Sequence, residues 1–197
     1  MSRIVLATRN AHKVGELRAI LADLGVEVDL VGVTEYPEVP DVAETELSFA
    51  GNALLKAVAV AEATGLPAIA DDSGICIDAL NGMPGIFSAR WAGRHGEDAA
   101  NLDLLLAQVS DVPDEHRGAQ FVCAAALAEP GGRRVVEEGR IDGVLLRERH
   151  GAGGFGYDPV FRPNGHPVST AELSAAEKNR ISHRRRAFAA LAPHLPR

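Results

Sequence analysis

The 197-residue chain has only two cysteines, Cys76 and Cys123, each inside an apolar run ("GICIDAL" and "QFVCAAALAE"). The absence of any C-x-x-C pair excludes a zinc ribbon or a dithiol redox centre. Both thiols are expected to be buried and structural, which suits a reducing compartment. No stretch approaches the roughly 20 apolar residues of a membrane span. The apolar run in "MSRIVLATRN" is too short for a secretory signal, so a cytoplasmic chain without a membrane partner is expected. Positive charge is in deficit, with 20 Lys and Arg against 27 Asp and Glu and a net charge of −7. That argues against a broad nucleic-acid surface, which rests on many cationic phosphate contacts. A small anionic ligand needs only a local cluster of donors. There is no G-x-x-x-x-G-K-[ST] loop. His95, His116, His166 and His194 form no H-x-x-x-H or His/Cys grouping and receive no metal role. No linker and no repeat interrupts the chain, so a single domain over 1–197 is expected.

What is present reads as an α/β chain. Ile4 to Ala7 and "VEVDLVGV" are strands on either side of a helix from Lys13 to Leu24. An acidic loop from Glu35 to about Glu46 precedes a strong helix, Ser48 to Thr64, stopped by Gly65. "PAIADDSGICIDAL" reads as strand, tight turn, strand, with Asp71 and Asp72 in the turn. Glu97 to Val109 is a helix. Ala119 to Ala128 and Arg133 to Glu138 form a hairpin around "EPGG", and Gly139 to Leu146 extends the sheet. Ser169 and Glu172 have capping-box spacing for a short helix through Lys178, and Ser182 stands as cap of a last helix through Leu191. Early alternation followed by hairpins predicts a mixed sheet flanked by helices, with two lobes around a cleft.

"HGAGGFGYDP" contains G-x-G-x-x-G at Gly151, Gly153 and Gly156. A dinucleotide fingerprint follows a strand and opens a helix. Here "RERH" precedes it, and Pro159 disfavours helix at Asp158. The glycines therefore point to a loop whose backbone approaches a ligand, with Phe155 and Tyr157 as flat faces for a purine. "TRNAHK", between strand and helix, combines Thr8, Asn10, Lys13 and the free N–H groups of a helix start, a set that can hold a phosphate. The chain has 17 Arg and only three Lys: Lys13, Lys56 and Lys178. Lys13 and Lys178 lie near the candidate ligand segments, where a retained lysine suggests a compact point charge. In "ADDSG", successive strand residues face opposite ways, so only one of Asp71 and Asp72 points into a given cleft. Such a carboxylate can bind Mg²⁺ or take a proton from water. Ser73 lacks the G-x-S-x-G context of a nucleophile.

Five segments in order, "VLATRNAHKVGEL", "LSFAGNALLKA", "PAIADDSGICIDALNGMPGIFSARWAG", "GGFGYDPVF" and "TAELSAAEKNRISHR", resemble the inosine triphosphate pyrophosphatases, the non-canonical purine NTP pyrophosphatases. The resemblance implies an elongated central mixed sheet with two lobes around an active-site cleft. It implies a homodimer that uses Mg²⁺ to cleave ITP, dITP or XTP to the monophosphate and pyrophosphate. It places the phosphate loop on Thr8, Asn10 and Lys13, and counts Arg9, Ala11 and His12 in the same substrate-binding segment, with Arg9 either adding a phosphate contact or pointing outward. It puts the catalytic carboxylate on Asp72, with Ser73 beside it at the substrate. It places the base near Phe155, Gly156, Tyr157 and Asp158, with His183 and Arg184 as readers of the O6 edge, and Lys178 near the phosphates as a second charge beside Lys13. Arg9 departs from a position that is often glycine. Ala43 falls where a metal-binding carboxylate often sits, leaving Glu44 or Glu46 as substitute beside Asp72; Glu44 is taken. A nucleotide sensor without catalysis is the alternative.

Overall fold

The computed structural model describes residues 2–196, apart from the side chains of Ala11 and His12. The expected substrate contacts of Ala11 and His12 therefore lie outside the described side chains. Six strands form one sheet in the order β2-β1-β3-β4-β5-β6. They are β1 (Arg3–Leu6), β2 (Asp29–Gly32), β3 (Ala68–Ile77), β4 (Gly118–Ala128), β5 (Arg134–Leu145) and β6 (Phe161–Pro163). The main helices are α1 (Ala11–Asp23), α2 (Phe49–Thr64), α3 (Asp98–Gln108), α4 (Ala175–Ile181) and α5 (His183–Leu191). β1 runs parallel to β2 and β3, whereas β5 and β6 are antiparallel. The sheet is thus mixed, as expected.

By internal contacts the chain resolves into two compact units. The first comprises Met1–Asp72, Cys123–Gly139 and Arg184–Arg197; the second comprises Ser73–Val122 and Arg140–His183. In the first unit the two faces of the sheet bury different partners. Ile4, Leu6 and Ile69 pack with Leu17 of α1 and Phe188 of α5. Val5, Ala68 and Ala70 pack with Ala53 and Ala57 of α2. This is the period-two alternation of a strand buried on both sides. It also fixes the next two residues: Asp71 continues the Ile69 face toward α1 and α5, and Asp72 continues the Ala70 face toward α2. The second unit packs Ile75, Ile77, Leu105, Phe121 and Phe161 into its own core.

Several expectations need correction. β3 is one uninterrupted ten-residue strand, so Asp71 and Asp72 lie within it and not in a turn. Asp, Ser and Gly favour turns when solvated; here both carboxylates are buried and satisfied by cations and an amide. β5 likewise fuses the predicted hairpin arm with its extension. β6 was not anticipated, and β2 is shorter than its apolar run. The capping box that opens α4 is formed by Ser174 and Glu177, five residues after the predicted pair. Ser169 and Glu172 do bond, N–H to carboxylate at 2.8 Å, but close a turn. Ser182 precedes α5, and its hydroxyl donates back to the Asn179 carbonyl at 3.2 Å.

Candidate active site

The first unit gathers a charged cluster on both faces of β3. On the α1 face, the Lys13 ammonium lies 3.4 Å from Asp71. Arg184, from the start of α5, donates to Asp71 at 3.1 Å and to Glu16 of α1 at 2.8 Å. Burial alone would raise the Asp71 pKa, but the charges of Lys13, Arg184 and Lys56 outweigh it and hold the carboxyl well below the usual range. Asp71 is a fixed anion, shared between two cations. Arg184, 3% exposed, is itself held firmly protonated: burial opposes its charge, and Asp71 and Glu16 outweigh burial. The expectation that Arg184 reads a base edge is therefore corrected in one respect. Its guanidinium is committed to two carboxylates within its own unit.

On the α2 face, Asp72 accepts a hydrogen bond from the Asn52 amide at 3.1 Å and lies 3.7 Å from the Lys56 ammonium. Lys56 also donates to Glu44 at 2.7 Å. Burial, with the nearby Glu44 charge, pushes the Asp72 carboxyl above its ordinary pKa, while Lys56 and Asn52 pull the other way. Lys56 stays charged against burial because Asp72 and Glu44 surround it. Of the two candidate substitutes for Ala43, only Glu44 turns to this cluster among the contacts described. Glu46 is exposed and joins through its backbone N–H, which donates to Asn52 at 3.0 Å. Among the described residues no group of three or more His, Cys, Asp or Glu forms a metal cage. The donor set nevertheless fits Mg²⁺, which is usually held by one or two carboxylates with phosphate and water completing its shell. Two carboxylates, Asp72 and Glu44, already share a cation here.

Beside β1, the Thr8 hydroxyl accepts from the Asn10 N–H at 3.2 Å, and the Asn10 side chain accepts from the Lys13 N–H at 3.4 Å. Asn10 is thus the N-cap of α1, with the positive end of the helix dipole beside it. Arg9 is engaged by the acidic loop. It donates to Asp41 at 2.5 Å and to the Val39 carbonyl at 2.6 Å, fastening the acidic loop.

The second unit builds the glycine-rich segment around Asp158. This buried carboxylate accepts from the Phe155 N–H at 2.8 Å, the Thr170 hydroxyl at 2.9 Å and the Lys178 ammonium at 2.5 Å. Lys178 Nζ lies 4.6 Å from the centre of the Phe155 ring, a cation–π contact. Phe155 is 56% exposed and offers a flat face. Tyr157 does not: it is 5% exposed, packs in the core, and its hydroxyl donates to the Ser88 carbonyl at 2.9 Å. The expectation of two aromatic faces is corrected to one. The glycines also have a different neighbour than expected. A Cβ on Gly151 or Gly153 would meet the backbone of Ala171, and one on Gly154 would overlap the Asp158 carboxylate. Their close approach is to this chain itself. Gly156 donates its N–H to Asp98 at 3.1 Å. His183 stacks on Phe121, with centroids 4.9 Å apart and planes 11° from parallel. Ser73, next along β3 after Asp72, is half-buried.

The model of the Ham1 family matches residues 4–194. The chain belongs to the Ham1 family. This Ham1 chain is 65% identical over 193 residues to a dITP/XTP pyrophosphatase of Streptomyces coelicolor, covering 98% of this chain and 96% of that one. A solved structure of a nucleoside-triphosphatase, dITP/XTP pyrophosphatase, from Mycobacterium abscessus is 53% identical with a TM-score of 0.81, covering 97% of this chain and 99% of that one. A HAM1 protein from Coxiella burnetii is 41% identical with a TM-score of 0.89, each chain covered to 98%. These likenesses extend the mixed-sheet fold over nearly the whole Ham1 chain.

Sequence reasoning missed Asn52, Lys56, Glu16 and the anchoring role of Asp71. A signal for two of them was present. Asn52 and Lys56 are polar residues four apart in the otherwise apolar run "NALLKAVAVA", so they share one face of α2.

Proposed function

We propose that this Ham1-family chain hydrolyses non-canonical purine nucleoside triphosphates, ITP, dITP and XTP, to the monophosphate and pyrophosphate. The observation that carries the reading is the division of labour between adjacent β3 carboxylates. Asp71 is spent on Lys13 and Arg184, while Asp72 faces Asn52, Lys56 and Glu44, and its burial raises its proton affinity above the ordinary value. A carboxylate of that kind suits proton acceptance from water.

Water attacks the α-phosphorus in line. The bond from that phosphorus to the bridging oxygen breaks, and pyrophosphate leaves with the electron pair. Asp72 takes the proton. Asp72 and Glu44 would hold Mg²⁺, which would supply charge neutralisation at the phosphate oxygens. Thr8, Asn10, Lys13 and the start of α1 bind the phosphates, and Lys56 adds a second point charge. Phe155 stacks on the purine, with His183 at its edge and Lys178 there too, because Lys178 lies over the Phe155 ring and not by the phosphates where the sequence reading put it. Stacking of this type contributes about 1–3 kcal/mol per base. An O6 acceptor satisfies such donors, whereas the adenine amino group strands them, and a stranded buried donor discriminates strongly. The family resemblance adds a homodimer acting in the cytoplasm. The names of the relatives support the substrate class.

A pyrophosphate-release assay with ITP, dITP, XTP, GTP and ATP, with and without Mg²⁺, tests the reading. Release from the first three, at least tenfold faster than from ATP and abolished by chelation, is expected. Nucleotide binding without release identifies a sensor instead.

A further inference from the structure

Asn52 is fully buried on α2, and each end of its side-chain amide is used. The amide nitrogen donates to Asp72 Oδ2 at 3.1 Å, and the amide oxygen accepts the Glu46 N–H at 3.0 Å. Only this orientation satisfies both partners, because a carboxylate accepts and a backbone N–H donates. One turn further along the helix, Lys56 repeats the pattern, with Asp72 on one side and Glu44 on the other. Two rungs from α2 thus tie β3 to the acidic loop. Gly51 makes room for the first rung, since a Cβ there would run into the Glu46 Cβ at 2.7 Å. That atom adjoins the backbone, so the loop itself would have to move.

We propose that Asn52 is a positioning residue that holds the Glu44-bearing loop in register with Asp72. Its role is exerted through Asp72 and the Glu46 N–H, the two groups its amide binds. It sets the spacing of the two carboxylates on which the proposed reaction depends. The proposal rests on the reading of Asp72 and Glu44 given above. Groups that orient the ligands of a metal or a base are typically worth about 10–100-fold in activity.

The two bonds can be separated by substitution. Asn52→Asp keeps an acceptor for the Glu46 N–H and removes the donor to Asp72. Asn52→Leu removes both. Turnover of ITP is measured alongside hydrogen exchange at the Glu46 amide. For N52D, kcat is expected to fall about 10–100-fold with little change in KM, while the Glu46 amide stays protected as in the unmodified protein. N52L is expected to lose activity and the protection together. Unchanged kcat in N52D overturns the proposal, and so does loss of Glu46 protection in N52D, which would mean that Asn52 serves packing alone. If N52L does not fold, N52D carries the test. If the unmodified protein releases no pyrophosphate, the functional reading falls, and the exchange comparison still decides whether Asn52 holds the loop.

Discussion

Arg184 carries its charge almost wholly out of solvent, between Asp71 and Glu16. Removing one partner of such a group leaves the others buried and uncompensated, a loss of about 3–5 kcal/mol. Arg184→Ala is therefore expected to unfold at markedly lower urea concentration. An unchanged midpoint with altered base selectivity would return Arg184 to the base edge. Asp72→Asn is expected to lower kcat by about 10²–10⁴-fold while nucleotide binding persists, read by turnover and by equilibrium binding. Placements that follow from type and local spacing were legible in the chain, Lys13 behind a helix start and Phe155 on an exposed loop, whereas Asp72 was picked out as a carboxylate but assigned to a turn that the structure replaces with strand. Asn52, Glu16 and the anchoring of Asp71 were not legible. Their roles depend on which helix packs on which face of β3, and that is set by contacts far apart in the chain, such as Arg184 with Asp71.

At the scale of elements, β3 shows how burial overrides local preference. Asp-Asp-Ser-Gly has turn composition, yet the strand continues because Asp71 and Asp72 find cations on opposite faces. Periodicity identified α2 to within a residue, since its apolar face and its Ser48 cap are both local. The cap of α4 was misplaced because S-x-x-E spacing occurs twice within nine residues, and only packing chooses between them. The loop 150–158 has its own logic. Gly154 adopts φ +72°, and a side chain there would displace Asp158, which orders Phe155 and Lys178. Gly154→Ala is expected to destabilise by about 1 kcal/mol or more and to raise KM for ITP. Thermal melting and steady-state kinetics check both. An unaltered KM would separate Asp158 from base binding.

For the whole molecule, helix–strand alternation followed by hairpins was enough to foresee a mixed sheet, and the six-stranded sheet is mixed. The two compact units could not be delimited from sequence, because each is assembled from segments distant along the chain. The central claim is chemical: water attacks the α-phosphorus, and Asp72 receives its proton. Hydrolysis of ITP in ¹⁸O-enriched water, with products resolved by mass spectrometry, tests it most directly. The account predicts ¹⁸O in the nucleoside monophosphate and unlabelled pyrophosphate. Label in pyrophosphate, or release of inorganic phosphate in its place, would contradict it.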